Sequence, residues 1–236
     1  MRDGSLSYKR FCIEAELLQK RSHEIASRQQ VGDERCIATW ECRYGKRQHL
    51  DGNLYLVSSG NTRLYRSTKD NESVRIDMKR GQDIDELLQI GEYNWTSGDN
   101  DQTTLQPQEV ETALLEFHIV YHTIYQTPVL YFRASAVDGR PLPSEDVTHD
   151  VAFPGSNGRS MLISMEEHPV LGKPFSFLHP CETAAAMQLL QAQKAKTDSS
   201  TKSLSEMEVE VPRYLLSWLS LVQPMTCISP LEYKSV

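Results

Sequence analysis

The 236-residue chain carries a formal net charge of −7, and 39% of its residues are hydrophobic and 24% charged. This balance is ordinary for a globular protein, and the acidic charge argues against nucleic acid as the main partner. No apolar run approaches the roughly 18 residues that a bilayer-spanning helix needs, and residues 1–6 lack the apolar stretch of a signal peptide. The sequence therefore predicts a cytoplasmic protein with no stable membrane insertion.

The first part of the chain predicts one helix followed by short strands. Residues 7–29 are typical of an amphipathic helix, because apolar and small residues recur at steps of three and four. They are Phe11, Ala15, Leu18, Ser22 and Ile25. Strands are predicted at 36–42 and 54–58, and Gly60-Asn61 is predicted to turn the chain so that 63–66 pair back. Strand 54–58 is our candidate edge strand for an extended partner.

A long acidic segment separates these elements from the rest of the chain. Residues 82–116 contain no Lys or Arg, and 97–102 are polar and acidic. We predict a flexible acidic insertion around 82–113 within a single domain spanning 1–236. The alternative is a docking segment for a basic partner, anchored by apolar side chains. These would be Ile84, Leu87, Leu88 and Ile90.

Further strands and helices are predicted after the insertion. Residues 114–124 and 128–137 form strands joined by a hairpin at 125–127, and their alternation predicts that only one of Tyr131 and Phe132 is in the core. Ser144 is predicted to cap a short helix, and 161–165 to form a strand. A flexible linker is predicted around 194–206, and a last helix at 213–222, ended by Pro224. The fold class is α+β, an antiparallel sheet with helices packed on one face.

Cysteine usage directs attention to one position. The five cysteines are Cys12, Cys36, Cys42, Cys181 and Cys227. Their odd number and wide spacing indicate free thiols, and the paired spacing of a structural metal site is missing.

Cys181 follows an apolar run that ends in His179-Pro180 and precedes a run that predicts a helix. Unpaired N–H groups and the helix dipole would favour its thiolate. Pro180 biases His179 toward an extended conformation, so we expect an abrupt turn with the sulfur at its tip. Such a thiolate can hold an acyl group as a thioester.

The motif His179-Pro180-Cys181 resembles the active site of the autophagy branch of ubiquitin-conjugating enzymes. Residues 128–135 with 138–142, 167–175 and 217–222 extend the similarity and favour the autophagy-related protein ten family. Membership would imply a ubiquitin-conjugating-enzyme-like core. Ordinary ubiquitin-conjugating enzymes carry His-Pro-Asn a few residues before the cysteine, whereas this cysteine directly follows His-Pro. The oxyanion would then depend on backbone N–H groups at the helix start or on another side chain.

The resemblance also implies a reaction and its partners. An E1-type activating enzyme, autophagy-related protein seven, would pass a ubiquitin-like modifier, autophagy-related protein twelve, to Cys181 as a thioester. A lysine of the acceptor, autophagy-related protein five, would then take the modifier as an isopeptide. Cys181 is the catalytic residue on this interpretation, with His179 and Pro180 as candidate supports of the active-site turn, and the enzyme would bind no cofactor or metal.

Three alternatives remain open from the sequence. A sibling enzyme of the same branch shares His-Pro-Cys and passes a different modifier to a lipid amine. A non-catalytic adaptor on the same fold would tolerate the loss of the Cys181 thiol. A thiol hydrolase would pair Cys181 with His168 or His179, although a residue two positions from the cysteine is poorly placed to act as its base.

Overall fold

A computed structural model of the chain describes residues 4–28, 37–46, 53–66, 110–149, 151, 163–198 and 214–233. The helices in these ranges are α1 (Tyr8–Arg28), α2 (Ser144–Thr148), α3 (Thr183–Asp198) and α4 (Tyr214–Thr226), followed by a 3₁₀ turn (Pro230–Tyr233). The strands are β1 (Glu41–Tyr44), β2 (Leu54–Arg66), β3 (Val110–His122), β4 (Thr127–Ala136), β5 (Pro141–Leu142), β6 (Ile163–Glu167) and β7 (Pro174–Leu178).

These strands form one antiparallel sheet in the order β1-β2-β3-β4-β7-β6, with β5 paired to β4. The register places His118 opposite Tyr131 and Tyr131 opposite Phe177. The predicted fold class, an antiparallel sheet combined with helices in an α+β arrangement, is confirmed.

The first face of the sheet carries the main core beneath α1 and α4. Helix α1 buries most of the predicted stripe on this face, while its last member, Ile25, is partly buried against the core. Helix α4 buries Trp218 and Leu219, and the strands contribute side chains such as Phe117. Removing this apolar surface from water is the main stabilising contribution.

Two polar contacts fix α1 and the segment after it against the end of the chain. The carboxylate of Glu14, 4% exposed, accepts the Leu215 N–H at 2.7 Å and so satisfies a free donor in the first turn of α4. Burial raises the pKa of Glu14, while its hydrogen bonds to Leu215 and Arg10 oppose that shift. Trp40 donates its indole N–H to the hydroxyl of Tyr233 at 3.0 Å.

The second face of the sheet is buried as well. Tyr131 is 5% exposed and Phe132 0%, so the expectation that only one of them is core is wrong. A second apolar cluster, which includes Tyr131 and Phe175, lies on this face. Val170, in the turn between β6 and β7, packs against this cluster, so the turn covers the second face of the sheet. That turn approaches the sheet edge so closely that a Cβ on Gly45 would lie 2.3 Å from Val170 Cγ1.

Strand β2 is continuous, and the predicted turn at Gly60-Asn61 is wrong. The register with β3 shifts between Ser58 and Asn61, which is a β-bulge, and Gly60 adopts φ +79° there. The bulge absorbs one extra residue, since 59 and 60 stand opposite 116 alone, so 61–66 stay paired with β3. The predicted edge position of 54–58 is also wrong, because 55–57 pair with β1 on one side and β3 on the other.

Several predicted boundaries shift for local reasons. Strand β1 begins at Glu41 and the predicted strand residues 37–40 are not paired, since Trp40 donates its backbone N–H to the Ser22 hydroxyl of α1 at 3.0 Å. Pro143, not Ser144, occupies the N-cap of α2, and no side chain caps that helix. Helix α4 continues past Pro224, which lies in its last turn, and Arg63 donates to the carbonyls of Pro224 and Met225 there.

Regular structure occupies one end of the predicted insertion and one end of the predicted linker. Strand β3 begins at Val110, so residues 110–113 are strand, and 82–109 lie outside the described residues together with the four apolar anchors. Helix α3 continues to Asp198, so residues 194–198 are helical, and 199–206 also lie outside.

Candidate active site

Cys181 lies in the short turn that joins β7 to α3, and it is exposed. Strand β7 ends at Leu178 and the helix begins at Thr183. The Thr183 N–H donates to the Pro180 carbonyl at 3.0 Å, which closes the turn, and the Ala186 N–H donates to the Glu182 carbonyl at 3.0 Å as the first helical bond. The sulfur therefore precedes the first helical turn, as the sequence predicts.

His179 supports the turn through its ring. Its Nδ1 accepts the Cys181 N–H at 3.1 Å, so this nitrogen carries no proton and the neutral ring carries its proton on Nε2. Nε2 lies 3.4 Å from the hydroxyl oxygen of Tyr125 and donates to it. A directed chain of hydrogen bonds thus leads from the cysteine backbone through imidazole to a phenol.

Tyr125 belongs to the turn between β3 and β4, which comes close to the cysteine turn in the folded chain. Its ring meets His179 edge-on with centroids 5.6 Å apart and lies 4.7 Å from the ring of His122. His122 Nδ1 accepts the Tyr125 N–H at 3.3 Å, and burial together with the neighbouring His179 lowers the pKa of His122. The sequence predicted only a hairpin connection here, and no sequence signal separates Tyr125 from any other turn aromatic.

His168 lies at the opposite end of β7 from Cys181, in the turn after β6. Its ring is fully buried, and its Nδ1 accepts the N–H groups of Val170 and Leu171 at 3.2 Å. Its Nε2 therefore donates to His118 Nδ1 at 3.0 Å. This placement argues against His168 as a base for Cys181.

The remaining described cysteines differ from Cys181 in setting. Cys12 and Cys42 are partly buried, and burial raises the pKa of Cys42 to about 12. Cys227 is exposed but lies at the C-terminal end of α4, just after its last residue. Cys36 lies outside the described residues.

No group of three or more His, Cys, Asp or Glu side chains in the described ranges is arranged to hold a metal ion. Among the helices described, none combines the length and hydropathy of a membrane-spanning segment.

Comparison with known proteins defines the class. The chain belongs to the family described as autophagocytosis associated protein, active-site domain, which matches residues 10–233. The family predicted from the sequence is therefore confirmed, and with it the expectation of a ubiquitin-conjugating-enzyme-like core.

Individual relatives show which members of this family the chain is similar to. The chain is 37% identical over 128 residues to the ubiquitin-like-conjugating enzyme ATG10 of Homo sapiens, covering 52% of this chain and 53% of that protein. It is 37% identical over 129 residues to the enzyme of the same name from Arabidopsis thaliana, with 52% and 53% covered. Autophagy-related protein 3 of Dictyostelium discoideum is 25% identical over 124 residues, 52% of this chain and 33% of that protein. The chain spans about half the length of the curated relatives it matches.

Proposed function

We propose that this chain is an autophagy ubiquitin-like-protein transferase that carries its modifier as a thioester on Cys181. One observation carries the proposal: an exposed thiol at a strand-to-helix turn, inside a chain that belongs to a family named for its active-site domain. The thiol is open to a large protein donor, and the neighbouring helix start favours negative charge.

The first step exchanges one thioester for another. The Cys181 sulfur attacks the carbonyl carbon of the modifier's C-terminal residue while it is bound to the activating enzyme's cysteine. A new C–S bond forms, the old C–S bond breaks, and the activating enzyme's thiol leaves with the proton from Cys181. One thioester replaces another of similar free energy, so this step needs no cofactor on this chain.

The second step transfers the modifier to an amine. The uncharged amine of an acceptor lysine attacks the thioester carbonyl, the C–N bond forms, and the Cys181 sulfur leaves as a thiolate that takes up the amine's proton. His179 and Tyr125 supply the polar side chains of the turn. Because Nε2–H of His179 donates to Tyr125, the phenolic O–H remains available to donate to another acceptor, and we assign it to the developing oxyanion.

The partners follow from this proposal. We assign as modifier autophagy-related protein twelve, as activating enzyme autophagy-related protein seven, and as acceptor autophagy-related protein five, all meeting in the cytoplasm. The protein-conjugating assignment is preferred over the lipid-conjugating sibling because identity reaches 37% with conjugating enzymes named ATG10 and 25% with autophagy-related protein 3.

A thioester trap tests the nucleophile. The protein is incubated with activating enzyme, ATP and modifier, and run on a gel with and without reductant, beside Cys181→Ser and the matched exposed-thiol control Cys227→Ser. We expect a reductant-sensitive adduct on the wild type and on Cys227→Ser. Cys181→Ser should show a reductant-stable ester or nothing.

The same assay separates the alternatives. A demonstrably charged activating enzyme that yields no adduct would overturn the transferase and favour the adaptor. A reductant-sensitive adduct on Cys181→Ser would move the nucleophile elsewhere. Discharge of the wild-type thioester onto vesicles with amine headgroups, but not onto the acceptor protein, would favour the lipid-conjugating enzyme.

A further inference from the structure

The segment that precedes α1, residues 4–7, lies against the helix that follows Cys181. Gly4 is buried and adopts φ +74°. Its backbone comes so close to α3 that a Cβ at this position would lie 1.9 Å from the Ala184 carbonyl oxygen and 2.9 Å from the Gln188 nitrogen. Only glycine permits both this conformation and this approach.

Three attachments hold the segment in place. Leu6 is fully buried in the main core. The Leu6 N–H donates to the Gln126 carbonyl at 2.7 Å, which joins the segment to the β3–β4 turn next to Tyr125. The Tyr214 hydroxyl donates to the Gly4 carbonyl at 2.7 Å, which joins it to α4. The segment therefore connects the turn that carries Tyr125 with the start of α3.

Helix α3 has few other anchors near its start. Of its side chains that the structure describes, Met187 is the one that is fully buried, and Leu189 is 66% exposed. The start of α3 buries so little apolar surface that its position depends on close backbone contact, and Gly4 provides that contact at the second residue of the helix.

We propose that Gly4 is a positioning residue for the thioester chemistry, because it sets the distance between the Cys181 helix and the Tyr125 turn. The proposal rests on the proposed function, in which Cys181 is the nucleophile. Gly4 touches neither the thiol nor a substrate and acts through Ala184, three residues after Cys181.

The size of the effect follows from the contact. Real Cβ atoms do not approach heavy atoms closer than 3.0 Å, so a side chain at Gly4 must push Ala184 away by about 1.1 Å. A misplacement of about 1 Å in an active site costs up to roughly 100-fold in rate. We therefore expect Gly4→Ala to lower kcat for modifier transfer by about tenfold or more, with KM for the charged activating enzyme unchanged, because Gly4 is buried and offers no surface to a partner.

The test compares Gly4→Ala with Gly139→Ala. Gly139 also has a positive φ, +86°, but a Cβ there would meet nothing within 4 Å. Both variants place a side chain at a similar positive φ, so the contact with α3 is the main difference between them. Hydrogen exchange at the Ala186 amide, the first helical bond of α3, is measured beside kcat and KM.

Gly4→Ala is expected to speed Ala186 exchange about tenfold and lower kcat, while Gly139→Ala changes neither. Equal kcat in the two variants would overturn the proposal. If Gly4→Ala fails to fold, Tyr214→Phe removes the bond to the Gly4 carbonyl instead, and an unchanged kcat in that variant would overturn it. A wild type that forms no thioester contradicts the proposed function, and Ala186 exchange still reports whether Gly4 holds α3.

Discussion

Acidification from pH 7 to pH 5 is expected to destabilise this protein through two buried imidazoles. His118 and His168 are 2% and 0% exposed and bond to each other at 3.0 Å. Burial is the main cause that lowers the pKa of each ring from 6.5 to about 4; Arg43 and Arg133 lower that of His118 further. Glu116 accepts from His118 Nε2 at 3.0 Å and does not outweigh burial.

The direction of this change in stability follows from the number of protons that the folded and unfolded states bind. In the unfolded chain each ring titrates near 6.5, whereas in the folded protein it stays neutral until about pH 4. The unfolded state therefore binds more protons across this window, so stability is complete above pH 6.5 and falls as the pH drops toward 4. With 1.36 kcal/mol per pKa unit, full protonation costs about 3 kcal/mol per ring, and the step from pH 7 to 5 roughly 2 kcal/mol per ring.

Urea unfolding followed by tryptophan fluorescence at pH 7 and pH 5 measures this loss. His118→Gln removes one titrating ring, so it should be less stable at pH 7 yet lose only about half as much between the two pH values. The exposed His149→Gln serves as control and should behave as the wild type. Glu14, whose pKa burial raises, titrates in the opposite direction but is common to all three proteins. A wild type and His118→Gln that lose equal stability would refute the reasoning.

Three further substitutions test other contacts. Tyr125→Phe removes the hydroxyl beside the cysteine turn and should slow thioester discharge onto the acceptor by about tenfold, read by single-turnover gels, with stability within ~0.5 kcal/mol of wild type. Glu14→Ala leaves the buried Leu215 N–H without its acceptor and should cost about 1–3 kcal/mol in urea unfolding; a change below ~0.5 kcal/mol would contradict the capping role. Gly45→Ala forces Val170 away and should lower the melting temperature, whereas a neutral result would show that the β6–β7 turn adapts freely.

The sequence predicted the strands and helices well where one face of an element is exposed. The helix around Phe11 and Leu18 has a regular apolar stripe, and its period alone defines it. Alternation of apolar and polar residues does not identify the core residues at Tyr131 and Phe132, because a strand buried on both faces has no exposed polar face. That the β6–β7 turn covers the second face depends on contacts distant in sequence.

Two predictions that were based on a glycine or a proline are wrong. Gly60 predicted a turn and instead permits a bulge inside β2, and Pro224 predicted a helix end and instead lies within the last turn of α4. Each residue makes a local conformation accessible, but the partner decides whether it is used: β3 continues to pair beyond Gly60, and Arg63 binds the carbonyls around Pro224.

The candidate site could be predicted from the sequence only where its residues are close together along the chain. The strand, turn and helix around Cys181 are contiguous, so their order could be read from the chain. Tyr125 reaches His179 across 54 positions, and Gly4 reaches Ala184 across most of the chain. Neither contact leaves a periodic or compositional trace in a single sequence.

The bonds from Glu14 to Leu215 and from Trp40 to Tyr233 have a consequence for how the protein is made. A ribosome that emits residues from the N-terminus releases α1 long before its partner α4 exists. Until residue 214 has emerged, the apolar stripe of α1 has only part of its final cover, and pairing over such separations makes folding slow. A nascent chain arrested before α4 should therefore leave α1 open to proteases and chaperones, and synthesis of α4 and the 3₁₀ turn should close it.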